Sequence, residues 1–319
     1  MSKEHIIPNA IGGKLKSNEL LCTSCNNKLG NTLDNVLAKQ LNTFTNLLNI
    51  ERDNGKPQKI VARLKDSNQK VYVHLDGSVV LANPKVNISE EDKNISLSVT
   101  APNREVLNKI FDGFKEKYPH KKSEIEDLIR TNLTETINEE MIALDFNIGG
   151  DSLFFRAIGK IAANYFIFSG GAHGEIESLI TYIKDDQCKN ILVWPFEVER
   201  EVIETSSTEV RHNIVIVNNQ EEKILFAIVE LFSCFKYLVI LNDQYVGSAP
   251  SLCYSLEILK REEMYPSVKN SHLTRANIEK IFSEEMRNRE IQMKHIGKLF
   301  QKIGFHKKMN SVIEAAFKT

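Results

Sequence analysis

The first thirty residues hold the pattern that most restricts the fold. An acid and an imidazole are adjacent at Glu4 and His5 in EHIIP, IGG follows at residues 11–13, and CTSCN occupies residues 22–26. Paired glycines mark a turn, and apolar residues then recur at helical spacing as far as about Leu48. The pattern predicts two short strands joined by a turn and followed by a helix.

The rest of the chain predicts an α+β fold with antiparallel strands. RDNGKPQ at 52–58 has the composition of a linker, and a β-hairpin and helix region over 57–145 follows it, with a helix at 103–118. Residues 121–139 are charged and polar, and predict a solvated helix or an ordered loop. We therefore expect a small N-terminal ββα module over 1–50 and an α+β region over 149–319 that ends in a helical tail.

Apolar content and cysteine usage indicate a soluble cytoplasmic protein. No apolar run reaches the roughly 18 residues that a membrane span needs, and the N-terminus lacks the apolar core of a signal peptide. Three of the five cysteines, Cys188, Cys234 and Cys253, are scattered through apolar stretches and are predicted to be small core residues. An odd cysteine count argues against a disulfide framework.

The overall net charge of −1 conceals an uneven distribution. Residues 1–70 and 251–319 are net positive, whereas residues 71–250 are strongly acidic. A positive segment attracts phosphate groups, so any contact with a polyanion is expected at the two ends of the chain. The same blocks are equally compatible with ordinary solvated surface.

Residues 4–30 resemble the HNH endonucleases, which are ββα-metal nucleases. The likeness runs through EHIIP, IGG, LLCTSCN and Gly30, and extends to Asp34, and the Cys-x-x-Cys-Asn ending is shared with endonuclease VII-type resolvases. The resemblance implies Glu4 and Asn26 as ligands of a catalytic divalent metal and His5 as the general base. Asn18 lies near the middle asparagine of the family pattern, where it would brace the loop and orient His5.

Elementary chemistry suits the implied roles. A neutral imidazole takes a proton near pH 7, and Mg²⁺ or Mn²⁺ is commonly held by one or two oxygen ligands. A Glu carboxylate and an Asn carbonyl satisfy that preference. We also predict phosphate contacts for Lys14, Lys16 and Lys28, with solvated surface lysines as an equally good interpretation.

Cys22 and Cys25 supply only half of a structural zinc site. Relatives in this branch usually carry a second Cys-x-x-Cys upstream of the Glu-His pair, and four thiolates bind zinc tetrahedrally. Three explanations stay open. The module has lost zinc and is held by packing, the true start lies upstream of Met1, or two chains share one zinc.

The sequence thus predicts a metal-dependent endonuclease that acts on DNA. The alternatives are an inactive nucleic-acid-binding module, or a sensor or scaffold region that controls the nuclease through a regulatory partner or ligand. A homodimer is a further expectation, because two nicking modules would produce a double-strand break. Elsewhere in the chain, His173 is expected in a connecting loop, His212 on the surface and Trp194 in the core.

Overall fold

The computed structural model describes most of the chain. The described residues are 2–52, 59–74, 78–91, 94–119, 123, 140–144, 148, 151–185, 188, 192–195, 203–204, 206–268, 273–282 and 289–317. Apart from residue 123, the segment 121–139 lies outside them, as does nearly all of the linker predicted at 52–58. The predicted α+β class with antiparallel sheets and a C-terminal helix is confirmed.

The chain divides into two compact units. The joined unit consists of Met1–Lys56 and Asn147–Thr319, and the middle unit consists of Pro57–Phe146. The two pieces of the joined unit, which are far apart in sequence, therefore fold together.

The N-terminal module begins with the predicted ββα arrangement. Strand β1 (Ser2–His5) pairs antiparallel with β2 (Lys16–Leu21), and helix α1 (Thr23–Leu29) follows. Both glycines of the connecting turn are required. Gly12 has a φ of 96°, and a Cβ atom on Gly13 would lie 1.8 Å from the carbonyl oxygen of Ile7.

The helical stretch that follows is interrupted rather than continuous. A π-helical turn (Gly30–Asp34) succeeds α1, and then come α2 (Asn35–Gln40) and α3 (Asn42–Leu47). The predicted helical spacing is nevertheless confirmed, because the apolar positions form one buried face. Its fully buried members are Leu33, Leu37, Leu41 and Phe44.

The remainder of the joined unit packs helices on an antiparallel sheet. The helices are α5 (Ser152–Phe168), α6 (Glu177–Lys184), α7 (Arg275–Phe282) and α8 (Arg289–Phe317). The strands are β9 (Val193–Pro195), β10 (Arg211–Asn219), β11 (Ile224–Leu231), β12 (Phe235–Asn242), β13 (Leu252–Glu257) and β14 (Glu262–Met264), in the order β14-β13-β10-β11-β12-β9. Within the described residues, no helix combines the length and apolarity needed to cross a membrane.

One hydrophobic core runs from the N-terminal module into the C-terminal sheet. Phe44 of α3 is fully buried, and its ring lies 5.2 Å from that of Phe235 and 6.0 Å from that of Phe300. Helix α5 is buried on nearly every side, as its apolar sequence predicts, because it lies within this core. The module is thus part of a larger folding unit.

The prediction that His212 is a surface residue is wrong. Its side chain is fully buried, Nε2 donates to the carbonyl oxygen of Ile11 at 2.8 Å, and the backbone N–H of Phe232 donates to Nδ1 at 3.1 Å. Burial lowers the pKa of His212 to about 4. The neutral ring therefore fastens the glycine turn of the module to the sheet.

The middle unit has a separate and much smaller core. A four-stranded antiparallel sheet contains β3 (Ile60–Leu64), β4 (Lys70–Val73), β5 (Val79–Leu81) and β8 (Ile142–Ala143). The hairpin of β6 (Lys85–Glu91) and β7 (Asn94–Thr100) precedes helix α4 (Arg104–Lys117), close to the predicted 103–118. The buried apolar residues of the sheet are Ile60, Ala62, Leu64 and Val71, of which the last three form one cluster.

Candidate active site

The Glu-His pair lies at an irregular strand end. The β1–β2 register shifts between Ser2 and Glu4, and His5 is the last residue of β1, where it pairs with Lys16. Adjacent residues of a regular strand point to opposite faces, so side chains that serve one site require such an irregularity or a strand end. Glu4 is buried and the His5 side chain is half-buried, with its Nε2 atom screened from solvent.

Asn26 is fastened to the same strand. Its Nδ2 atom donates to Oγ of Ser2 at 2.9 Å and to the carbonyl oxygen of Lys3 at 3.2 Å. These two bonds hold the first turns of α1 against β1 and fix the amide beside the Glu-His pair. The structure thereby brings Asn26 close to the strand that carries Glu4 and His5.

A lysine from a distant part of the chain contacts the Glu4 carboxylate. The Nζ atom of Lys160 on α5 lies 2.6 Å from Oε1 of Glu4, and 2.8 and 2.7 Å from the two carboxylate oxygens of Asp34. Asn164, one turn further along α5, donates to Oε1 of Glu4 at 3.4 Å. We call Glu4, Asp34 and Lys160 the charge cluster.

The charge cluster is largely removed from water. The exposed fraction of the side chain is 3% for Lys160, 5% for Glu4 and 21% for Asp34. Burial raises the pKa of Glu4 above its ordinary value, the Lys160 ammonium opposes that rise, and the Asp34 carboxylate adds to it. A buried carboxylate is tolerated here because a hydrogen-bonded cation accompanies it.

Sequence reasoning missed Lys160 and Asn164, although a signal was present. Arg156, Lys160 and Asn164 recur every four residues in an otherwise apolar helix, so they share one face. Arg156 uses that position structurally, because its guanidinium donates to the carbonyl oxygens of Tyr182 and Ile183 at the end of α6. Lys160 and Asn164 contact Glu4 of the N-terminal module instead.

The other residues predicted for the site are not members of the charge cluster, although Lys28 lines one cavity together with Lys160 and Asn164. Asn18 is exposed on β2, and the described residues include no hydrogen bond from it to His5. Lys14 is engaged elsewhere, since its Nζ atom contacts the carbonyl oxygen of Arg261 and the carboxylate of Glu263, each at 3.2 Å. Lys16 is half-buried, and Lys28 is exposed on α1.

Cys22 and Cys25 form an exposed thiol pair at the start of α1. Cys22 caps the helix, and the backbone N–H of Cys25 donates to its Sγ atom at 3.4 Å. This bond lowers the pKa of Cys22, while the neighbouring Cys22 sulfur raises that of Cys25. In the part of the chain that the structure describes, no three His, Cys, Asp or Glu side chains converge as metal ligands. A zinc site therefore stays a prediction.

The oxygen donors of the site fit a hard divalent metal. Glu4 contacts Lys160 and Asn164 through Oε1. Among the described residues no such contact is made by Oε2, so this oxygen can bind a metal ion. Asn26 uses Nδ2 to bind β1, so its Oδ1 atom is available as a donor. Mg²⁺ and Mn²⁺ accept such a small oxygen set and complete their coordination with water and phosphate.

Comparison with known proteins supports the family resemblance of the module. Residues 1–42 match the family model described as HNH endonuclease. Comparisons with curated proteins and with solved structures give no match. The matched segment contains both strands, α1, the π-helical turn and α2, and it indicates a nuclease-type function with a nucleic acid as substrate.

Proposed function

We propose that this protein is a metal-dependent HNH-type endonuclease that hydrolyses phosphodiester bonds of DNA. The observation that carries the proposal is the matched segment 1–42 folded as ββα, with Asn26 bonded directly to the strand of Glu4 and His5. Order along the chain and local fold therefore support the proposal, and the Asn26 amide contacts the strand that carries Glu4 and His5. Localisation in the cytoplasm remains a prediction from the sequence.

His5 takes the proton of the attacking water. His5 is the last residue of β1, where the regular strand pairing ends, and its side chain is half-buried. A neutral imidazole is suited to this task near pH 7, and such a base contributes about 10²–10⁴-fold to a rate.

Glu4 and Asn26 would hold Mg²⁺ or Mn²⁺ through Oε2 and Oδ1. When bound, the metal supplies positive charge that stabilises the phosphate and the departing oxygen. Ser2 and the Lys3 backbone orient the Asn26 amide, since they accept both of its N–H groups. Lys28 is exposed on α1 and is the predicted lysine best placed to attract phosphate.

The remainder of the joined unit would regulate this centre. Helix α5 supplies the Lys160 and Asn164 contacts to Glu4, and His212 of the sheet holds the glycine turn. A change in the C-terminal region is therefore coupled to the nuclease residues by direct contact. This coupling favours a gated nuclease over a free-standing one.

Plasmid cleavage tests the proposal. Supercoiled DNA is incubated with the full chain in Mg²⁺, in Mn²⁺ and in EDTA, and His5→Ala is compared with His74→Ala. His74 is exposed in the middle unit, so its loss controls for removal of an imidazole. We expect nicked or linear DNA only with metal, a loss of at least about 100-fold for His5→Ala, and no change for His74→Ala.

Gel retention on the same samples separates the alternatives. An active nuclease predicts that His5→Ala retains DNA and fails to cut it. Retention by the native chain without cutting in either metal would instead support a binding module. Metal-independent cutting, or cutting unchanged by His5→Ala, would contradict the proposed chemistry. A single-stranded RNA substrate run in parallel tests the preference for DNA.

A further inference from the structure

The charge cluster places a protein cation where a metal-binding carboxylate is expected to be open. The ammonium of Lys160 lies within 2.8 Å of oxygens on both Glu4 and Asp34, and 97% of the Lys160 side chain is shielded from solvent. Such contacts are charge-assisted hydrogen bonds in a water-poor environment, where they are strong. The Glu4 carboxylate is thus already neutralised by a group that belongs to the chain.

A divalent cation and this ammonium oppose each other at Glu4. Two carboxylates and one ammonium give the charge cluster a net charge of −1. Glu4 is the one member of the cluster that is also a proposed metal ligand. A metal on Oε2 would lie on the same carboxylate as Lys160 on Oε1, so the two positive charges would repel each other across a few ångströms. Binding of the metal is weakened for as long as Lys160 keeps its place.

The structure offers Lys160 another place to go. A cavity of about 340 Å³ adjoins the cluster, and both Lys160 and Asn164 lie in its wall. Cys22 and Cys25 of α1 line another part of the wall. A lysine side chain is long and flexible, so the ammonium can leave Glu4 along this cavity while α5 stays packed. The move is costly, because the wall is mostly apolar and also carries Lys28 and Lys184, and this cost favours the position on Glu4 until a metal binds.

We propose that Lys160 is a resident cation of the nuclease centre that competes with the divalent metal for Glu4. Metal loading then requires the Lys160 ammonium to withdraw, and the position of α5 sets how readily it does so. The inference rests on the proposed function for the identity of the metal site. It assigns to Lys160 a positioning role that acts through Glu4.

Mn²⁺ binding by the full-length protein, without nucleic acid, tests this inference. Free Mn²⁺ is counted by electron paramagnetic resonance for the native chain, Lys160→Met, Lys160→Arg and Arg156→Met. We expect Lys160→Met to lower the Mn²⁺ Kd at least about tenfold, because one nearby charge at intermediate dielectric is worth more than that factor. Lys160→Arg keeps the charge and should bind as the native chain does.

Arg156→Met is the matched control on the same helix. It removes a buried cation one turn before Lys160 whose bonds go to α6 carbonyls, so the Mn²⁺ Kd should stay unchanged even where stability falls. Thermal melting gives a second readout. Mn²⁺ should raise the Tm of Lys160→Met more than that of the native chain, since the metal replaces the missing charge.

A second pair of variants keeps the test decisive if Lys160→Met does not fold without metal. Lys160→Met combined with Asp34→Asn removes one charge of each sign, and it should bind Mn²⁺ more tightly than Asp34→Asn alone. Adding Glu4→Gln should abolish that gain. An unchanged or higher Kd after loss of Lys160, or no Mn²⁺ binding by any variant, overturns the inference.

These outcomes are separable from failure of the proposed function. Tighter Mn²⁺ binding by Lys160→Met with no DNA cutting leaves the competition standing and rejects the nuclease. Metal-dependent cutting with a Mn²⁺ Kd that does not change on loss of Lys160 supports the nuclease and rejects the competition between Lys160 and the metal.

Discussion

The N-terminal module and the middle unit differ in how they obtain a core. Residues 2–52 contribute Leu37, Leu41 and Phe44 to a cluster that extends through α5 and the six-stranded sheet. The sheet of the middle unit is held by Ala62, Leu64 and Val71, with a few partly buried neighbours. The first segment is short and buries its apolar face in a large core, whereas the second is longer and its described residues form a small core of their own.

The difference shows where control of the candidate site resides. A module of about 50 residues rarely buries enough apolar surface to be stable without a metal, disulfides or a partner. Here the partner is the C-terminal part of the same chain, which also supplies Lys160 to Glu4 and His212 to the glycine turn. Stability and site geometry therefore depend on the same contacts.

The largest expected effect comes from matched leucine substitutions in the two regions. Leu37→Ala should lower the free energy of unfolding of the joined unit by about 2–5 kcal/mol, because Leu37 is fully buried in the shared core. The single tryptophan, Trp194, lies in β9 of that unit, so its fluorescence in urea reports the loss.

Leu64→Ala is the control in the middle unit. It removes the same atoms from a buried position, yet it should leave the Trp194 transition in place and change only the circular dichroism of the middle unit. A Trp194 midpoint that moves equally with both variants would show that the two units unfold as one. The comparison drawn above would then fail.

Acid should weaken the tie between the module and the sheet. His212 has its pKa lowered from 6.5 to about 4 by burial, so between these values the unfolded chain binds a proton that the folded chain excludes. The neutral His212 ring contributes fully to the free energy of unfolding above about pH 6.5. As the pH falls toward 4, the free energy of unfolding decreases by up to about 3 kcal/mol through this residue. Urea unfolding followed at Trp194 across this range measures it.

His212→Gln isolates that contribution. Glu4 has a raised pKa, so its effect runs the other way, and it is lost as the pH rises through the folded value. The native curve minus the His212→Gln curve cancels Glu4 and other carboxylates. An identical pH slope in both proteins would contradict the assignment to His212.

The local sequence pattern predicted the helices and strands better than it predicted the contacts between distant residues. Helical spacing and the glycine turn depend on neighbours in sequence, and these predictions are confirmed between β1 and α3. The burial of His212 depends on Ile11, about 200 residues away, and a polar residue before a strand carries no sign of such a partner. The bond from Lys160 to Asp34, at the end of the π-helical turn, is a long-range contact of the same kind.

The candidate site divides in the same way. Glu4, His5 and Asn26 lie within one short motif, so the sequence alone was enough to predict that they belong to one site. Lys160 belongs to α5 and follows Asp34 by 126 residues. The only sequence signal for it is the four-residue spacing of Arg156, Lys160 and Asn164, which indicates a polar face on an apolar helix. Long-range ion pairs follow from packing, which a single sequence does not specify.

A smaller effect is expected at the thiol pair. Cys22→Ala removes the N-cap acceptor of α1 and should lower the free energy of unfolding slightly, while Cys22→Ser restores an acceptor and should lower it less. Trp194 fluorescence in urea, with zinc present and with a chelator, gives both values. A loss of several kcal/mol on chelation in the native chain would show that zinc, rather than the shared core, stabilises the module.

The smallest change in the free energy of unfolding is expected when the middle unit is deleted. Strands β3 and β8 are adjacent and antiparallel, with Arg63 opposite Ala143, so the chain enters and leaves the middle unit at one end of this strand pair. A folded segment with neighbouring ends closes a loop about as readily as a short linker does. Replacing residues 57–146 with a short Gly-Ser linker should therefore change the Trp194 unfolding free energy by no more than about 0.5 kcal/mol. Retained DNA cleavage in that shortened chain would assign the nuclease and its Lys160 contact to the joined unit alone, whereas a large loss of stability would show that the joined unit depends on the middle unit.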